Sequence, residues 1–211
     1  MRLSRTRCDF VATAKREYDT HSGSWGCGMV LAYHLIISAY GFWLPNDERG
    51  SWSQFVRAYE LARFGPATKV TTRRSVAHRP YNPARRRAMK AALARAPVRF
   101  TGLQARAIAR GFADYCARTG CIIPACAVLP DHAHLVVARH RILIERTCER
   151  LKSAATTQLL REGLHPFADE AYANGRLPTP WARKGWWCSS IRTATSSVPL
   201  STCATILCAT D

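Results

Sequence analysis

One stretch of the chain decides the fold: CIIPACAVLPDHAHLVVA, residues 121–138. It contains two apolar runs, 121–129 and 132–138, on either side of the Pro130–Asp131 pair. Each run has the length and the β-branched composition of a buried strand, and Pro-Asp is typical of a tight turn. The stretch therefore predicts two antiparallel strands joined by a short turn.

Amphipathic segments flank this pair of strands. The segment before it, 101–118, is predicted to be a helix that ends at Gly120, and its apolar face consists of Ile108, Phe112, Tyr115 and Cys116. The segment after it, from about 142 to 162, is predicted to be a second helix with a core face of Ile144, Cys148, Leu151, Ala155 and Leu159.

Further towards the amino terminus, the run VLAYHLIISAY (30–40) is a candidate for a first buried strand. The order β-α-β-β-α is most of a split β-α-β unit, so we expect an α+β, ferredoxin-like domain with an antiparallel sheet and helices on one face. A basic insertion, 41–100, follows the first strand, and Asn82 and Pro83 are predicted to begin a helix within it. The fourth strand of the unit and the helix after it are expected to be missing, because no periodic segment follows Trp187.

The expected domain organisation has three parts: a loose arm at 1–25, one domain at 26–187 and an irregular tail at 188–211. The 31 Lys and Arg residues against 14 Asp and Glu residues give a formal charge of +17, which favours a polyanionic partner such as a nucleic acid. The nine cysteines show no C-x-x-C spacing, and neither a secretory signal nor a membrane span is visible. We therefore expect a reduced, cytoplasmic protein without membrane contact.

His132 and His134 are the candidate metal ligands. Residues i and i+2 of a strand point to the same face, roughly 7 Å apart at Cα, so both imidazoles can reach one divalent ion. Neutral imidazole suits Mn, Zn, Co or Ni, and a third ligand is still required. A His-x-His pair on a strand is by itself often a pair of half-exposed surface groups, but here it opens the third strand of a very basic chain.

The segment LPDHAHLVV (129–137) resembles the HUH motif (histidine, hydrophobic residue, histidine) of the single-tyrosine transposases. AYHLIISAYGFWLPNDERGSW (32–52) resembles the first strand and following loop of their REP-associated, insertion-sequence-200-like branch. LKSAATTQLLREGLHP (151–166) and PWARKGW (180–186) are similar to the segments that come after the motif in that family. The resemblance extends over about residues 32–186.

This resemblance implies an enzyme that cleaves and rejoins single-stranded DNA at hairpin or palindromic ends. His132 and His134 would hold a divalent metal, Mg or Mn, and a tyrosine on a carboxy-terminal helix would attack the scissile phosphate. A polar residue one helical turn after the tyrosine usually completes the metal shell. A homodimer and a bacterial, nucleoid-associated location are implied in the same way.

The tyrosine is absent from this chain, because the residues after Trp187 read CSSIRTATSSVPLSTCATILCATD. Read one frame over with permitted synonymous codons, the same segment can encode a strand and an amphipathic helix that carries a Tyr and, four residues later, an Asn. That tyrosine codon would straddle Ser201 and Thr202. We therefore interpret 188–211 as a frameshift product, so that the chain binds metal and DNA but does not form the covalent intermediate; an irregular tail is the simpler alternative. Of the existing tyrosines, Tyr33 and Tyr115 are expected to pack in the core, and only Tyr172 is worth testing.

Candidate DNA contacts are clusters of cations, each of which could equally be a solvated surface group. They are Arg73, Arg74, Arg85, Arg86, Arg87, Lys90, Arg139, Arg141, Lys152, Arg183 and Lys184. Trp43 or Trp52 could stack on an unpaired base.

Three other classes of protein remain open. One is a non-catalytic nucleic-acid-binding module, against which the chain lacks an RNP-like aromatic motif. The second is an HUH replication initiator, which the GFWLPND and PWARKGW segments disfavour. The third is a two-histidine phosphoesterase, which needs paired His-x-Ser or His-x-Thr motifs that this sequence lacks.

Overall fold

The computed structural model describes residues 29–72 and 75–192. The elements are β1 (Met29–Ser38), α1 (Tyr59–Ala62), α2 (Pro83–Ala91), α3 (Gly102–Thr119), β2 (Ala125–Val128), β3 (His132–Ala138), α4 (Ile144–Arg161) and β4 (Trp186–Arg192). The arm at 1–25, Arg73, Arg74 and the tail beyond 192 lie outside this description.

The four strands form one antiparallel sheet in the order β2-β3-β1-β4. This mixed α+β architecture confirms the predicted fold class, and the strand order is consistent with the expected ferredoxin-like arrangement. β1 and β3 are the inner strands, so each is hydrogen-bonded along both edges. The histidine-bearing strand β3 is therefore fixed in place from both sides.

One face of the sheet packs against α3 and α4 and forms the main core. The strands contribute Leu35, Ile37, Ala133, Leu135 and Val137, all at most 1 % exposed. The predicted helix faces supply the opposite side: Ile108, Phe112 and Tyr115 from α3, and Ile144, Cys148, Leu151, Ala155 and Leu159 from α4. Cys116 is half-buried against the same cluster. Because strand side chains alternate, the residues between the core positions point to the opposite face of the sheet.

The predicted helix boundaries are confirmed by their caps. Thr101 and Gln104 form a reciprocal capping box at the start of α3, and Gly120 ends this helix in the left-handed conformation, with φ 72°. The Asn82 side chain accepts a hydrogen bond from the backbone N–H of Arg85 at the start of α2. The strand predicted at 121–129 is shorter, since only Ala125–Val128 pairs with β3 and Pro124 has no N–H to donate.

The prediction that the fourth strand is missing was wrong. β4 pairs with β1 over Trp186–Arg192, so residues 188–192, which we assigned to the tail, belong to the sheet. Strand pairing needs only backbone N–H and C=O groups, which the irregular composition of this segment still provides. The two tryptophans also fit a strand, because Trp187 packs against the core while Trp186 contacts His34 on the other face. The expected catalytic helix and the straddling codon at Ser201 and Thr202 lie outside the described residues.

The insertion, 41–100, has a small core of its own, formed by Leu44, Leu61 and Met89. Beside it, the carboxylate of Asp47, 3 % exposed, receives two hydrogen bonds from the Arg49 guanidinium, each 2.8 Å long, and one from Arg86 at 3.3 Å. The Arg49 guanidinium also lies between the rings of Trp43 and Tyr81, 4.1 and 4.3 Å from their centroids. Asp47 thus ties the first loop of the insertion to α2.

None of the helices in the described ranges is long and apolar enough to cross a membrane.

Candidate metal and DNA site

His132 and His134 lie side by side on the face of β3 that points away from the main core. Ala133 between them is fully buried against the helices, as the alternation of a strand requires. The Nε2 atoms of the two histidines are 3.0 Å apart. The two Nε2 atoms therefore face each other on the same side of β3, and their role as metal ligands stays a prediction.

Each of the two rings has a further partner at its Nδ1 atom: a carboxylate for His132 and a third histidine for His134. Asp131 Oδ1 is 2.7 Å from Nδ1 of His132, and His34 Nε2 is 2.9 Å from Nδ1 of His134. His34 comes from β1, where it also stacks on His134 with 12° between the ring planes. Both rings of the pair are thus oriented by contacts to their Nδ1 atoms.

These contacts limit where the ring protons can lie. The Asp131 carboxylate accepts a hydrogen bond from Nδ1–H of His132, so Nε2 of a neutral His132 carries a lone pair. Without a cation, both remaining ring contacts are hydrogen bonds if His34 donates its Nε2–H to Nδ1 of His134 and His134 donates its Nε2–H to Nε2 of His132. For both Nε2 atoms to offer a lone pair to a cation, His134 would instead donate Nδ1–H to His34.

Burial favours the neutral forms of His134 and His34. It lowers the pKa of His134 to about 4, with further lowering by His132 and His34, and it also lowers the pKa of His34. A neutral imidazole is the form that binds a metal. The donor set thus fits two positions of a divalent cation, with Asp131 and His34 behind the two ligands.

A third protein ligand is not apparent in the described part of the chain. Within residues 29–72 and 75–192, no three His, Cys, Asp or Glu side chains are grouped so as to hold a metal ion together.

Aromatic rings flank the histidines on both sides. Phe42 stacks on His132 with 4.7 Å between ring centroids and 13° between planes. On the other side the edge of Trp186 meets His34 at 5.6 Å, and Trp52 contacts Trp186 at 5.1 Å. Phe42 and Trp52 are the two ends of the first loop of the insertion, so this loop frames the site from both directions.

Most of the predicted DNA-contacting cations that the structure describes fall into three groups. Several are engaged within the fold: Arg85 pairs with Glu48, Arg86 with Asp47, and the buried Lys152 donates to the backbone carbonyls of Ala182 and Arg183 at 2.8 and 3.2 Å. Those contacts give Lys152 a structural role, since it anchors the segment that leads into β4.

A second group lies far from the histidines. Arg139 and Arg141 are exposed beyond the other end of β3, about 20 Å from His132 at the rise of an extended strand.

The third group lies at the histidine end of the sheet. Arg183 and Lys184 are exposed just before Trp186, whose Cα partner Ile36 also pairs with His134. Lys90 is close enough to Asp131 for that carboxylate to raise its pKa, although burial and Arg86 lower the pKa more. Arg87 is exposed on α2, and Arg73 and Arg74 lie outside the described residues.

The tyrosines agree with the sequence analysis as far as the described chain extends. Tyr115 is 2 % exposed in the core, and Tyr33 is partly buried against it. Tyr172 is 49 % exposed, and the Arg95 guanidinium lies 4.9 Å from its ring centroid.

Sequence reasoning missed His34, Phe42 and Trp186 as members of the site. The alternation of β1 could have placed His34 opposite the core-facing Leu35, but the register that sets it beside His134 is a tertiary property. Trp186 was hidden for a related reason, because the strand that carries it was not expected.

Comparison with known proteins provides little information about this site. No protein-family model matches the chain, and no curated protein matches it. Among solved structures, it is similar to a "putative transposase" from Deinococcus radiodurans R1, with 14 % identity over 81 % of this chain and 86 % of that chain and a TM-score of 0.37. A likeness at this level carries no argument about the function of this protein.

Proposed function

We propose that this domain is a metal-dependent, single-stranded DNA nuclease and strand transferase of the single-tyrosine HUH type, and that the chain as written binds metal and DNA without completing the reaction. The observation that carries the proposal is the pair of Nε2 atoms of His132 and His134, 3.0 Å apart on the open face of the sheet, with Asp131 and His34 behind them. The charge of +17 and the exposed cations at this end of the sheet support a nucleic-acid substrate.

In the proposed reaction, His132 and His134 would hold a Mg or Mn ion, which would supply Lewis acidity at the scissile phosphate. Asp131 and His34 keep the two imidazoles in the ligating tautomer and orientation. Arg183, Lys184 and Lys90 would attract and orient the phosphate backbone. Phe42 and Trp186 contact the rings of His132 and His34 and so cover part of the histidine cluster.

Completion of the reaction needs a nucleophile beside this site. In the tyrosine mechanism a bond forms between phosphorus and the tyrosine oxygen, the bond to the 3′ oxygen breaks, and the proton lost by the tyrosine is balanced by one gained by the new 3′-OH. The described tyrosines do not join the histidine cluster, so the nucleophile is the component we propose to be absent.

The proposal is tested by titrating Mn²⁺ into the protein and by a cleavage assay on hairpin-bearing single-stranded DNA. We expect the chain as written to bind Mn²⁺ and DNA, and the double variant His132→Ala/His134→Ala to lose Mn²⁺ binding. His78→Ala, at an exposed position of the insertion, is the matched control and should bind Mn²⁺ as the unmodified chain does. Unchanged Mn²⁺ binding in the double variant would overturn the metal site.

The missing nucleophile is tested with a chain whose residues 188–211 are replaced by the sequence of the shifted reading frame. Cleavage and a covalent protein–DNA adduct in this version alone, abolished by the histidine substitutions, would support a broken transposase. Binding of DNA without cleavage in both versions would favour the alternative of a non-catalytic DNA-binding module. An adduct formed by the chain as written would contradict the proposed inactivity, and Tyr172→Phe would then test the remaining exposed candidate.

A further inference from the structure

Six rings form a continuous row across the open face of the sheet. Neighbouring centroids along it are 4.7 to 5.6 Å apart, in the order Phe42, His132, His134, His34, Trp186 and Trp52. The histidines occupy the middle of the row. Its last member, Trp52, is 37 % exposed, so part of its side chain is open to solvent at that end.

Trp52 differs in this respect from Trp43, the other tryptophan of the same loop. The Trp43 indole donates a 2.8 Å hydrogen bond to the carbonyl of Gly50, and the Arg49 guanidinium covers its ring at 4.1 Å. Trp43 therefore serves the internal structure of the insertion. Of the two tryptophans that the sequence offered for base stacking, the structure leaves Trp52 accessible.

The surroundings of Trp52 are suited to a polyanion. Ser51, which precedes Trp52, forms an isolated backbone β-bridge with the exposed Lys69. Arg183 and Lys184 lie just before Trp186, which contacts Trp52. The acidic residues of the loop, Asp47 and Glu48, are both paired with arginines. The cations near the two tryptophans are thus not offset by carboxylates of this loop.

We propose that Trp52, supported by Trp186, is a stacking subsite for one unpaired base of single-stranded DNA. This inference rests on the proposed function and adds to it the place where the strand is held. Aromatic stacking accepts any base, so the subsite would set the position of the strand relative to His132 and His134 without reading its sequence. The row of rings fixes the distance between the held base and the histidine pair.

The test uses a single-stranded oligonucleotide with one 2-aminopurine, whose fluorescence falls when it stacks. We expect binding to quench the probe, and Trp52→Ala to remove the quenching and weaken binding roughly 5- to 100-fold, the range for loss of one base–aromatic stack. Trp52→Phe keeps a ring and should recover most of the affinity. Phe55→Ala is the matched control, since Phe55 is 66 % exposed a few residues away and has no ring contact with the row.

A blunt duplex of the same sequence supplies the second control, because it offers no unpaired base and its affinity should not depend on Trp52. Equal binding of the single strand by the Trp52→Ala and unmodified proteins would overturn the subsite while leaving the metal proposal intact. Failure of the unmodified protein to bind any single-stranded DNA would overturn both proposals. A tighter, Trp52-dependent complex with an RNA strand of the same sequence would overturn DNA as the occupant.

Discussion

The imidazole of His134 lies between two others, and its two nitrogens have opposite requirements. Nδ1 faces His34 and Nε2 faces His132, at 2.9 and 3.0 Å. A neutral ring carries one proton, so donation to one neighbour means acceptance from the other. Binding of a cation at Nε2 therefore depends on the ability of His34 to accept the Nδ1–H hydrogen bond.

We predict that His34→Ala weakens Mn²⁺ binding by about 10- to 100-fold, the usual effect of losing the hydrogen-bond partner behind a metal-bound histidine. His34→Gln places an amide oxygen near the former Nε2 and should restore part of the affinity. Ile36→Val, on the same face of β1 and paired with His134, is the control that changes packing alone. Calorimetric titration with Mn²⁺ checks all three, and equal affinity in His34→Ala would contradict the role of His34.

The sequence was sufficient to predict that the His132 and His134 side chains lie together, because their spacing on one strand places both on one face. It was insufficient for His34, which is 100 residues away from His134 in the chain. The two imidazoles meet because β1 pairs with β3 in a register that sets Ile36 opposite His134, so that His34 lies two residues along the same face. The same limit applies to Phe42 and Trp186.

Among the elements, α3 and α4 make an unusually close contact. A Cβ atom added at Gly111 would come within 2.7 Å of the Ala154 carbonyl oxygen and the Ala155 Cα atom. These are backbone atoms, so side-chain rotation cannot relieve the clash. The two helices can approach to this distance because position 111 lacks a side chain.

We predict that Gly111→Ala destabilises the protein by about 1–3 kcal/mol, since overpacking outweighs the better helix propensity of alanine. Gly102→Ala is the matched control on the same helix, where an added Cβ meets no atom within 4 Å. It should be neutral or slightly stabilising. Urea unfolding monitored by circular dichroism checks both, and equal midpoints for Gly111→Ala and the unmodified protein would contradict the close helix contact.

Element prediction succeeded where local chemistry determines the structure. Thr101, Gln104 and Gly120 encode the ends of α3 within a few residues of chain, and the apolar periodicity of α4 encodes its core face. It failed at β4, where the residues after Trp187 show no periodicity and pairing with β1 supplies the order. Backbone pairing of that kind leaves little trace in a sequence.

The whole molecule should lose stability on acidification through its buried histidines. Burial lowers the pKa of His34, His134 and His165. The unfolded chain then binds more protons than the folded chain as the pH falls below about 6.5. The stabilisation is fully present above that pH and is lost progressively towards the lowered pKa values of the folded state.

We predict that His165→Gln reduces the slope of unfolding free energy against pH below about pH 6.5, because burial lowers the pKa of His165. His165 is 6 % exposed, and its Nδ1 accepts a hydrogen bond from the Phe167 N–H at 3.2 Å, which protonation of that nitrogen would abolish. His78→Gln, at an exposed position, is the control for the substitution itself. Urea titrations at several pH values check this, and identical slopes for the His165→Gln and unmodified proteins would contradict it.

The pairing of Asp47 with Arg49 and Arg86 has a consequence for handling the protein. Ions in solution screen exposed charges over about 10 Å at 0.1 M but reach buried pairs far less. The Asp47 carboxylate is 2 % exposed at its side chain and Arg49 is 7 % exposed. High ionic strength would therefore weaken the proposed contacts of the surface cations with DNA, while the loop that carries Phe42 and Trp52 keeps its shape.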